Sequence, residues 1–232
     1  MSLTGIIGAM EEEVAELKDL MSDVTIKEKA GMKFYRGVLE GKPAIVVQRG
    51  VCKVNAAICT QILIDDFHVN YVINTGIGGS LQNIIDIGDI VISTDAVQHD
   101  VDATVWGYAP GQVPGMPTYI FPADQRLIEL AEKVCAEVNP EIKTFRGRIV
   151  SGDQFISDKD IKQKLIDTYS GYSCEMEGAA IAQTAWRNKV PFVILRVISD
   201  KADGSAVADD NTFTADVIRH SVRLVRGMLR KI

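Results

Sequence analysis

The 232-residue sequence contains few cysteines, the residues that characterise disulfide-rich and many zinc-binding proteins. It has four cysteines, none of them in a CxxC pair, at Cys52, Cys59, Cys135 and Cys174. Zinc motifs and disulfide frameworks need cysteines at closer and more regular spacings. We therefore expect four free thiols in a reducing compartment, where disulfides are rare.

Basic clusters and long apolar runs are also missing. Lys and Arg number 25 against 31 Asp and Glu, which gives a net charge of −6. Nucleic acids and anionic membranes bind basic patches, so neither is expected as a partner. No stretch reaches the roughly 18 apolar residues of a membrane helix. The opening MSLTGIIGAMEEE lacks the basic segment of a secretory signal, so we expect a cytoplasmic protein.

Segments with strand and helix periodicity alternate along the chain. The predicted helices cover residues 11–21, 54–67, 122–138 and 213–229. The predicted strands cover residues 3–10, 33–39, 43–49, 71–74, 90–93, 144–151 and 192–198, with a hairpin turn at 40–42. No linker or repeat divides the chain, so residues 1–232 are predicted to form one α/β domain.

Acidic residues are placed at the ends of predicted elements within residues 174–203. Glu175 and Glu177 precede a helix of small residues, and the apolar strand that follows ends at Ser199 and Asp200. Ligands of open α/β sheets bind beyond the carboxyl ends of strands. Strand alternation puts Arg196 on the same face as Asp200, and a buried arginine needs a partner. The segment predicts a polar pocket with acids that can transfer protons.

Three consecutive glutamates open the first predicted helix. Acids at this position are often there only because they stabilise a helix N-terminus. Helical spacing nevertheless directs Glu13 toward Leu17 and the protein interior, and directs Glu12 toward Glu16 and solvent. If one of these glutamates works in a pocket, we expect it to be Glu13.

Two further segments have some features of cofactor or metal sites. The stretch TGIGGS at 75–80 is predicted as a glycine loop that lets backbone approach a ligand. It lacks the long helix that a dinucleotide fingerprint needs, so no such cofactor is expected. His99, Asp100 and Asp102 are more typical of hydrogen-bonded loop residues than of metal ligands, so no metal is expected.

Aromatic residues mark two other candidate regions. Phe155 follows a strand end, where it is either a core residue or a platform on which a flat ligand stacks. Residues 106–118, WGYAPGQVPGMPT, form a predicted irregular loop rich in Gly, Pro and aromatics. Long irregular loops are often functional, and exposed aromatics suit a subunit interface.

Five motifs together resemble one known family. They are GIIGAMEEEV at 5–14, NTG and GG within 74–79, VSGDQFI at 150–156, EMEGAAIA at 175–182 and RVISDKAD at 196–203. In this order and spacing they resemble the 5′-methylthioadenosine/S-adenosylhomocysteine nucleosidases, over essentially the whole chain from 5 to 229. The resemblance implies a nucleoside phosphorylase-like fold, with a central mixed sheet flanked by helices.

The same resemblance implies an activity. It implies a hydrolase that uses water to cleave the N-glycosidic bond of an adenine thioribonucleoside, without a cofactor or a metal. It also implies a homodimer in which a loop, here residues 99–114, closes the partner's pocket.

The resemblance implies catalytic roles for those residues of this chain that match the family's motifs. Glu13 is similar to the base that activates water, and Asp200 is similar to the acid that protonates adenine N7. Ser199 would orient that acid, and Arg196 would lie near the water. Acid and base on opposite sides suffice for this chemistry, in which the sugar becomes oxocarbenium-like.

Substrate-binding roles follow in the same way. Glu177 would hold the ribose hydroxyls, and Met176 would pack on the sugar. Phe155 would stack on adenine, whose edge the backbone of Ile156 would read. Gly79 would approach the ligand from the glycine stretch.

The sequence departs from the family pattern in a few places. The usual TGxAGG appears as TGIGGS, so Gly78 and Ser80 differ. Ile77 stands where some members have a serine that contacts water. Trp106 stands where a smaller aromatic is expected, which would alter the thioalkyl pocket.

Three alternatives remain from the sequence. A phosphorylase of the same fold would use phosphate, which needs cationic ligands, and only Arg49 and Lys53 lie near the relevant segments. A nucleosidase for another 5′-modified adenosine, such as a futalosine-type adenosine derivative or 5′-deoxyadenosine, would differ in its 5′ pocket. A non-enzymatic nucleoside-binding protein would not need the set of Glu13, Glu177 and Asp200.

Overall fold

A ten-stranded mixed sheet lies at the centre of the protein. The computed structural model describes residues 2–203 and 211–232, with the side chains of residues 211–216 outside the description. In chain order the strands are β1 (Thr4–Gly8), β2 (Ser22–Lys29), β3 (Met32–Leu39), β4 (Lys42–Gln48), β5 (Tyr71–Ser80), β6 (Ile90–Gln98), β7 (Phe121–Pro122), β8 (Thr144–Ser151), β9 (Gly171–Glu175) and β10 (Phe192–Asp200).

Part of the sheet closes on itself. The strand order is β10-β6-β8-β9-β5-β1-β4-β3-β2, and β10 also pairs with β5. Strands β5, β9, β8, β6 and β10 therefore form a ring, from which β1 to β4 extend as an open wing. Strands β1 and β10 flank β5 and run parallel to it, so the carboxyl ends of all three meet at one edge.

Helices cover both faces of the sheet. They are α1 (Ala15–Asp19), α2 (Lys53–Phe67), α3 (Gln125–Val138), α4 (Lys159–Tyr169), α5 (Gly178–Arg187) and α6 (Asn211–Lys231). Helices α2 and α5 share one apolar core with the sheet, whereas α3 and α6 share another. Among residues 2–203 and 211–232, none of the helices combines the length and apolarity that a membrane crossing requires.

Neighbouring strand residues point into the two cores alternately. Ile7 and Ile194 belong to the core under α2 and α5, while Ile6 and Val193 belong to the core under α3 and α6. This alternation follows from the period of two in a strand, and it explains why the central strands are apolar on both faces. The predicted α/β fold with a central mixed sheet is confirmed.

The predicted first helix was too long. The structure has only the five-residue helix α1 where residues 11–21 were predicted, and residues 9–14 form a turn instead. The carboxylate of Glu13 accepts hydrogen bonds from the backbone N–H groups of Ala9 and Met10. These bonds turn the chain back on itself before a helix can begin.

The predicted glycine loop at 75–80 was also wrong, because these residues form the last part of β5. Gly76 pairs with Arg196 and Gly79 pairs with Asp200, so the neighbouring strand β10 supplies the backbone partners of this stretch. Glycine spacing alone gave no sign of those partners.

The sequence pattern missed β2, α4 and β9. Every residue of the edge strand β2 is exposed, so its residues show no alternation of burial. Helix α4 did carry a readable signal, because Asp158 precedes it and accepts hydrogen bonds from the backbone N–H groups of Asp160 and Ile161. Such a side chain is typical of a helix N-cap.

Candidate active site

A cavity of about 180 Å³ opens where the carboxyl ends of β1, β5 and β10 meet. Residues from the ends of β8 and β9 and from the turn after β4 complete its wall. Eight residues singled out from the sequence line it: Glu13, Gly79, Phe155, Ile156, Met176, Glu177, Ser199 and Asp200. The wall also contains five residues with no assigned role, which sequence reasoning missed: Ala9, Met10, Val51, Gln154 and Cys174.

Glu13 is buried at the floor of this cavity, whereas Glu12 is exposed. One carboxylate oxygen accepts from the backbone N–H groups that follow β1, and the other accepts from the Ile77 N–H at 3.2 Å. Burial raises the pKa of Glu13 above its ordinary value near 4.5, and nearby hydrogen bonds and arginines offset this only in part. A carboxylate with a raised pKa accepts a proton more readily.

Asp200 is held at both carboxylate oxygens at the end of β10. Its Oδ2 accepts from the Ser199 hydroxyl at 2.8 Å, and its Oδ1 accepts from the Ala202 backbone N–H at 2.7 Å. These two bonds fix the plane of the carboxyl group against the cavity wall.

Two glycines of β5 make room for these carboxylates. A Cβ atom at Gly76 would lie 2.6 Å from Oε1 of Glu13, and one at Gly79 would lie 2.9 Å from Oδ1 of Asp200. Both separations are too short for van der Waals contact. The glycines therefore allow Glu13 and Asp200 to approach the same strand.

Glu177 is held from the turn between β4 and α2. Its Oε1 accepts from the Cys52 backbone N–H at 2.9 Å, and its Oε2 lies 3.2 Å from Nη2 of Arg49. Arg49 is itself buried, and its Nη1 donates to the Gly50 carbonyl at 2.6 Å. The sequence drew attention to Arg49 only as a possible phosphate ligand, and the structure pairs it with Glu177 instead.

Arg196 lies behind the cavity wall and is 1% exposed. It pairs with Glu175 and donates to the side chain of Asn74. Glu175 also accepts from the Ser151 hydroxyl and the Gly178 backbone N–H. Burial alone would raise the pKa of Glu175, but Arg196 and these hydrogen bonds outweigh it and hold the pKa below its ordinary value. Glu175 and Arg196 thus form a buried ion pair that anchors the start of α5.

The other cavity residues are mostly apolar. Phe155 is 69% exposed and lines the cavity, so it is not a core residue and its ring can stack on a flat ligand. Ile156 beside it is buried, and Met176 is half-buried at the end of β9. An apolar wall with a few fixed polar groups is typical of a small-molecule site.

The two acids considered as metal ligands, Asp100 and Asp102, are hydrogen-bonded elsewhere. Asp100 pairs with Lys53 Nζ at 2.6 Å and accepts from the Asp153 backbone N–H at 2.9 Å. Burial opposes ionisation of Asp100, but these bonds leave its pKa below the ordinary value. Within the described part of the chain, no three His, Cys, Asp or Glu residues are grouped so that they could hold a metal ion.

Local packing explains two departures from the family pattern. A Cβ atom at Gly78 would lie 2.6 Å from Oγ of Ser173, so the serine hydroxyl occupies the space that an alanine methyl group would need. Ser80 is buried, and its hydroxyl donates to the Gln82 carbonyl at 2.8 Å, which closes a turn after β5. Trp106 is 73% exposed and is not among the residues that line the cavity.

Comparison with known proteins identifies relatives over nearly the full length. A family described as the phosphorylase superfamily matches residues 4–230. A curated relative, the 5′-methylthioadenosine/S-adenosylhomocysteine nucleosidase of Staphylococcus haemolyticus, is 42% identical over 229 residues, which cover 98% of this chain and 99% of the relative.

Two solved structures are also similar. The 5′-methylthioadenosine/S-adenosylhomocysteine nucleosidase of Colwellia psychrerythraea, in complex with adenine, is 39% identical with a TM-score of 0.92, covering 98% of this chain and 94% of that one. The futalosine hydrolase of Helicobacter pylori is 31% identical with a TM-score of 0.93, covering 100% of this chain and 98% of that one.

Proposed function

We propose that this chain, which belongs to the phosphorylase superfamily and within it to the 5′-methylthioadenosine/S-adenosylhomocysteine nucleosidases, is a hydrolase of N-glycosidic bonds. Its substrates are 5′-methylthioadenosine and S-adenosylhomocysteine, from which it releases adenine and the thioribose. The observation that carries the proposal is the presence of Glu13 and Asp200 in one cavity, each with its carboxylate fixed by hydrogen bonds.

Asp200 acts as the general acid. It donates a proton to N7 of adenine while the bond between C1′ and N9 breaks, so the base leaves as a neutral molecule. The Ser199 hydroxyl holds the carboxyl group in the orientation needed for that transfer. General acid catalysis of this kind contributes about a hundred- to ten-thousand-fold to a rate.

Glu13 acts as the general base. It takes a proton from water while the water oxygen bonds to C1′ of the oxocarbenium-like sugar. Glu13 contacts β5 at Ile77, and Asp200 lies beside Gly79 on the same strand. Contacts two to three residues apart along a strand are separated by about 7–10 Å. Carboxyl groups about 6.5–9.5 Å apart leave room for a water molecule in glycoside hydrolysis.

The remaining cavity residues bind the substrate. Phe155 stacks on the adenine ring, and the backbone of Ile156 contacts its edge. Glu177 accepts hydrogen bonds from the ribose hydroxyls, and Met176 packs on the sugar. The glycine at position 79 lets the backbone of β5 approach the ligand. Arg196 acts through its ion pair with Glu175, which anchors the segment that carries Glu177.

Water is favoured over phosphate as the nucleophile. A phosphate site needs cationic ligands, yet the described residues that line the cavity include no lysine or arginine. Two buried arginines lie close to the cavity, but Arg49 is paired with Glu177 and Arg196 is paired with Glu175. A phosphorylase that used Arg49 or Arg196 as a phosphate ligand would need that ion pair to break.

A second candidate function is hydrolysis of another 5′-modified adenosine. The similarity to the futalosine hydrolase of Helicobacter pylori favours this alternative over other reactions. The two functions share the acid, the base and the adenine site, so only the 5′ substituent distinguishes them. Side-by-side rates with methylthioadenosine, S-adenosylhomocysteine, the adenine-containing amino analogue of futalosine and 5′-deoxyadenosine decide between them.

The protein is proposed to work as a homodimer in the cytoplasm. Large apolar side chains are exposed at Val51 and Val54 beside the cavity and at Val105 and Trp106 in the 99–114 loop, which supports a partner subunit there. Four free cysteines support a reducing compartment. The products would then enter methionine salvage. Light scattering tests the dimer, and a monomeric mass would contradict it.

Adenine release tests the activity itself. The purified protein is incubated with methylthioadenosine, and adenine is measured by chromatography in wild-type protein and in the Asp200→Asn variant. Adenine from the wild type and a large loss in the variant support the proposal. Absence of adenine from all four nucleosides named above would overturn it.

A further inference from the structure

Arg49 is a buried cation at the sugar side of the cavity that the proposed reaction does not use. It follows β4, and its backbone N–H bonds to the Gly8 carbonyl at 3.1 Å, which ties it to the end of β1. Its guanidinium is 1% exposed, and the acid within ion-pair distance of it is Glu177. Its Nε atom has no hydrogen-bond partner among the described residues. The charge of Arg49 is therefore directed at Glu177.

The backbone after Arg49 is shaped to bring a second donor to the same carboxylate. Gly50 has φ 80° and Cys52 has φ 78°, which is the left-handed region that a residue with a side chain rarely adopts. In this conformation the Cys52 N–H points at Oε1 of Glu177 while Arg49 reaches Oε2. The segment 49–52 thus holds both oxygens of one carboxylate from the same side.

This arrangement leaves Glu177 with acceptor capacity that faces the cavity. An ionised carboxylate has about four lone-pair positions, two on each oxygen. The Cys52 N–H uses one position on Oε1, and the Arg49 guanidinium forms an ion pair with Oε2 at 3.2 Å. At least one position remains on each oxygen, and two parallel acceptors of this kind match two neighbouring hydroxyl donors.

We infer that Arg49 is a positioning residue that sets the preference of the site for a ribose cis-diol, by holding the Glu177 carboxylate so that one acceptor faces each hydroxyl. The inference rests on the proposed function, because it assumes that Glu177 binds the sugar. An arginine suits this task because its planar guanidinium fixes the direction of a carboxylate, whereas a lysine acts as a point charge. Without Arg49, Glu177 keeps one directional contact and can rotate away from the second hydroxyl.

The test compares substrates with and without the second hydroxyl. KM and kcat are measured for methylthioadenosine and for its 2′-deoxy analogue in wild-type protein and in Arg49→Met. We expect the KM for methylthioadenosine to rise about 10- to 100-fold, as for the loss of a hydrogen bond to a charged group. We expect kcat, and the KM for the deoxy analogue, to change less than threefold, so that the preference for ribose falls.

Two further variants separate positioning from general destabilisation. Arg49→Lys should recover only part of the ribose preference, because it restores the charge without the planar geometry. Arg148→Met removes a partly buried arginine that pairs with Asp95 away from the cavity, and it should leave the ribose preference unchanged. A folded Arg49→Met variant that keeps the wild-type ribose preference would overturn the inference.

The double variant Arg49→Met, Glu177→Gln covers the case in which Arg49→Met does not fold, because it removes both charges together. If Arg49 acts through Glu177, the double variant has the same ribose preference as Glu177→Gln alone. A further loss in the double variant would overturn the inference.

Calorimetric titration of the Asp200→Asn variant with adenosine and 2′-deoxyadenosine gives the same ratio without turnover. It distinguishes the inference from the proposed function, since wild-type protein that releases no adenine fails only the latter. Equal affinities of the Asp200→Asn variant for the two ligands would overturn the inference.

Discussion

Oε1 of Glu13 accepts a hydrogen bond from the Ile77 backbone N–H at 3.2 Å, so a residue that follows β1 is fixed to the end of β5. Ile77 stands where some members of the family have a serine, yet its backbone supplies the contact and needs no hydroxyl. The bond places the proposed base on the strand that also carries Gly79, the partner of Asp200 in the sheet. The geometry of the proposed reaction depends on this strand.

Asp200→Asn should abolish most turnover and leave binding intact. An asparagine keeps the shape, and its amide oxygen can still accept from the Ala202 N–H while its NH2 group donates to the Ser199 hydroxyl, but it has no acidic proton to give to adenine. We expect kcat to fall about a hundred- to ten-thousand-fold, while the calorimetric affinity for methylthioadenosine changes little. Asp158→Asn, at the N-terminus of α4, is the matched control and should keep wild-type turnover. Wild-type activity in Asp200→Asn would rule out the acid role.

Glu13→Gln and Glu12→Gln should differ sharply although the two residues are adjacent. Glu13 is buried in the cavity, and a glutamine there cannot accept the proton from water. Glu12 is exposed and outside the cavity wall. We expect a loss of about a hundredfold or more in kcat for the first variant and nearly unchanged kcat for the second. The opposite ranking would mean that Glu12 is the base.

The buried carboxylate of Glu13 should make stability depend on pH. Because burial raises its folded-state pKa above the unfolded value near 4.5, the folded state binds the proton more tightly. The stabilising contribution is present below pH 4.5 and is lost as the pH rises through the folded-state pKa. Wild-type protein should therefore lose stability relative to Glu13→Gln over this window, by about 1.4 kcal/mol for each unit of difference between the two pKa values.

Urea unfolding of wild-type protein and Glu13→Gln at several pH values measures that difference. Taking the difference between the two proteins removes the titration of all other groups. A constant difference between wild type and Glu13→Gln across the range would show that the pKa of Glu13 is not raised.

Phe155→Ala should weaken substrate binding without destabilising the fold. The ring is mostly exposed, so its removal should change the free energy of unfolding by no more than about 0.5 kcal/mol. Stacking of a base on an aromatic ring contributes about 1–3 kcal/mol, so KM for methylthioadenosine should rise roughly 5- to 150-fold. Ile84→Ala, equally exposed but outside the cavity wall, is the control. An unchanged KM in Phe155→Ala would remove the stacking role.

Much of the site could be predicted because its residues stand at element ends. Asp200 is the last residue of an apolar strand, and ligands of α/β sheets bind at the edge formed by the carboxyl ends of such strands. The burial of Glu13 was predicted correctly from helical spacing, although the residue lies in a turn. The predicted inward direction of the Glu13 side chain is correct because the turn leads directly into α1, whose Leu17 is buried.

Contacts between distant segments could not be predicted. The pairing of Arg49 with Glu177 and of Arg196 with Glu175 depends on how β4, β9 and β10 are ordered in the sheet. Periodicity reports which side of an element is buried, but it does not report which element lies opposite. For the same reason, the stretch 75–80 was predicted as a loop and is a strand.

The measurement that tests the central claim most directly is product analysis with and without phosphate. The protein is incubated with methylthioadenosine, and both adenine and the sugar are identified by chromatography and mass. The cavity, with Glu13 as its proposed base and no cation in its described wall, predicts adenine and free methylthioribose at a rate that phosphate does not change. A sugar 1-phosphate that forms only when phosphate is present would contradict hydrolysis and remove Glu13 from the role of base.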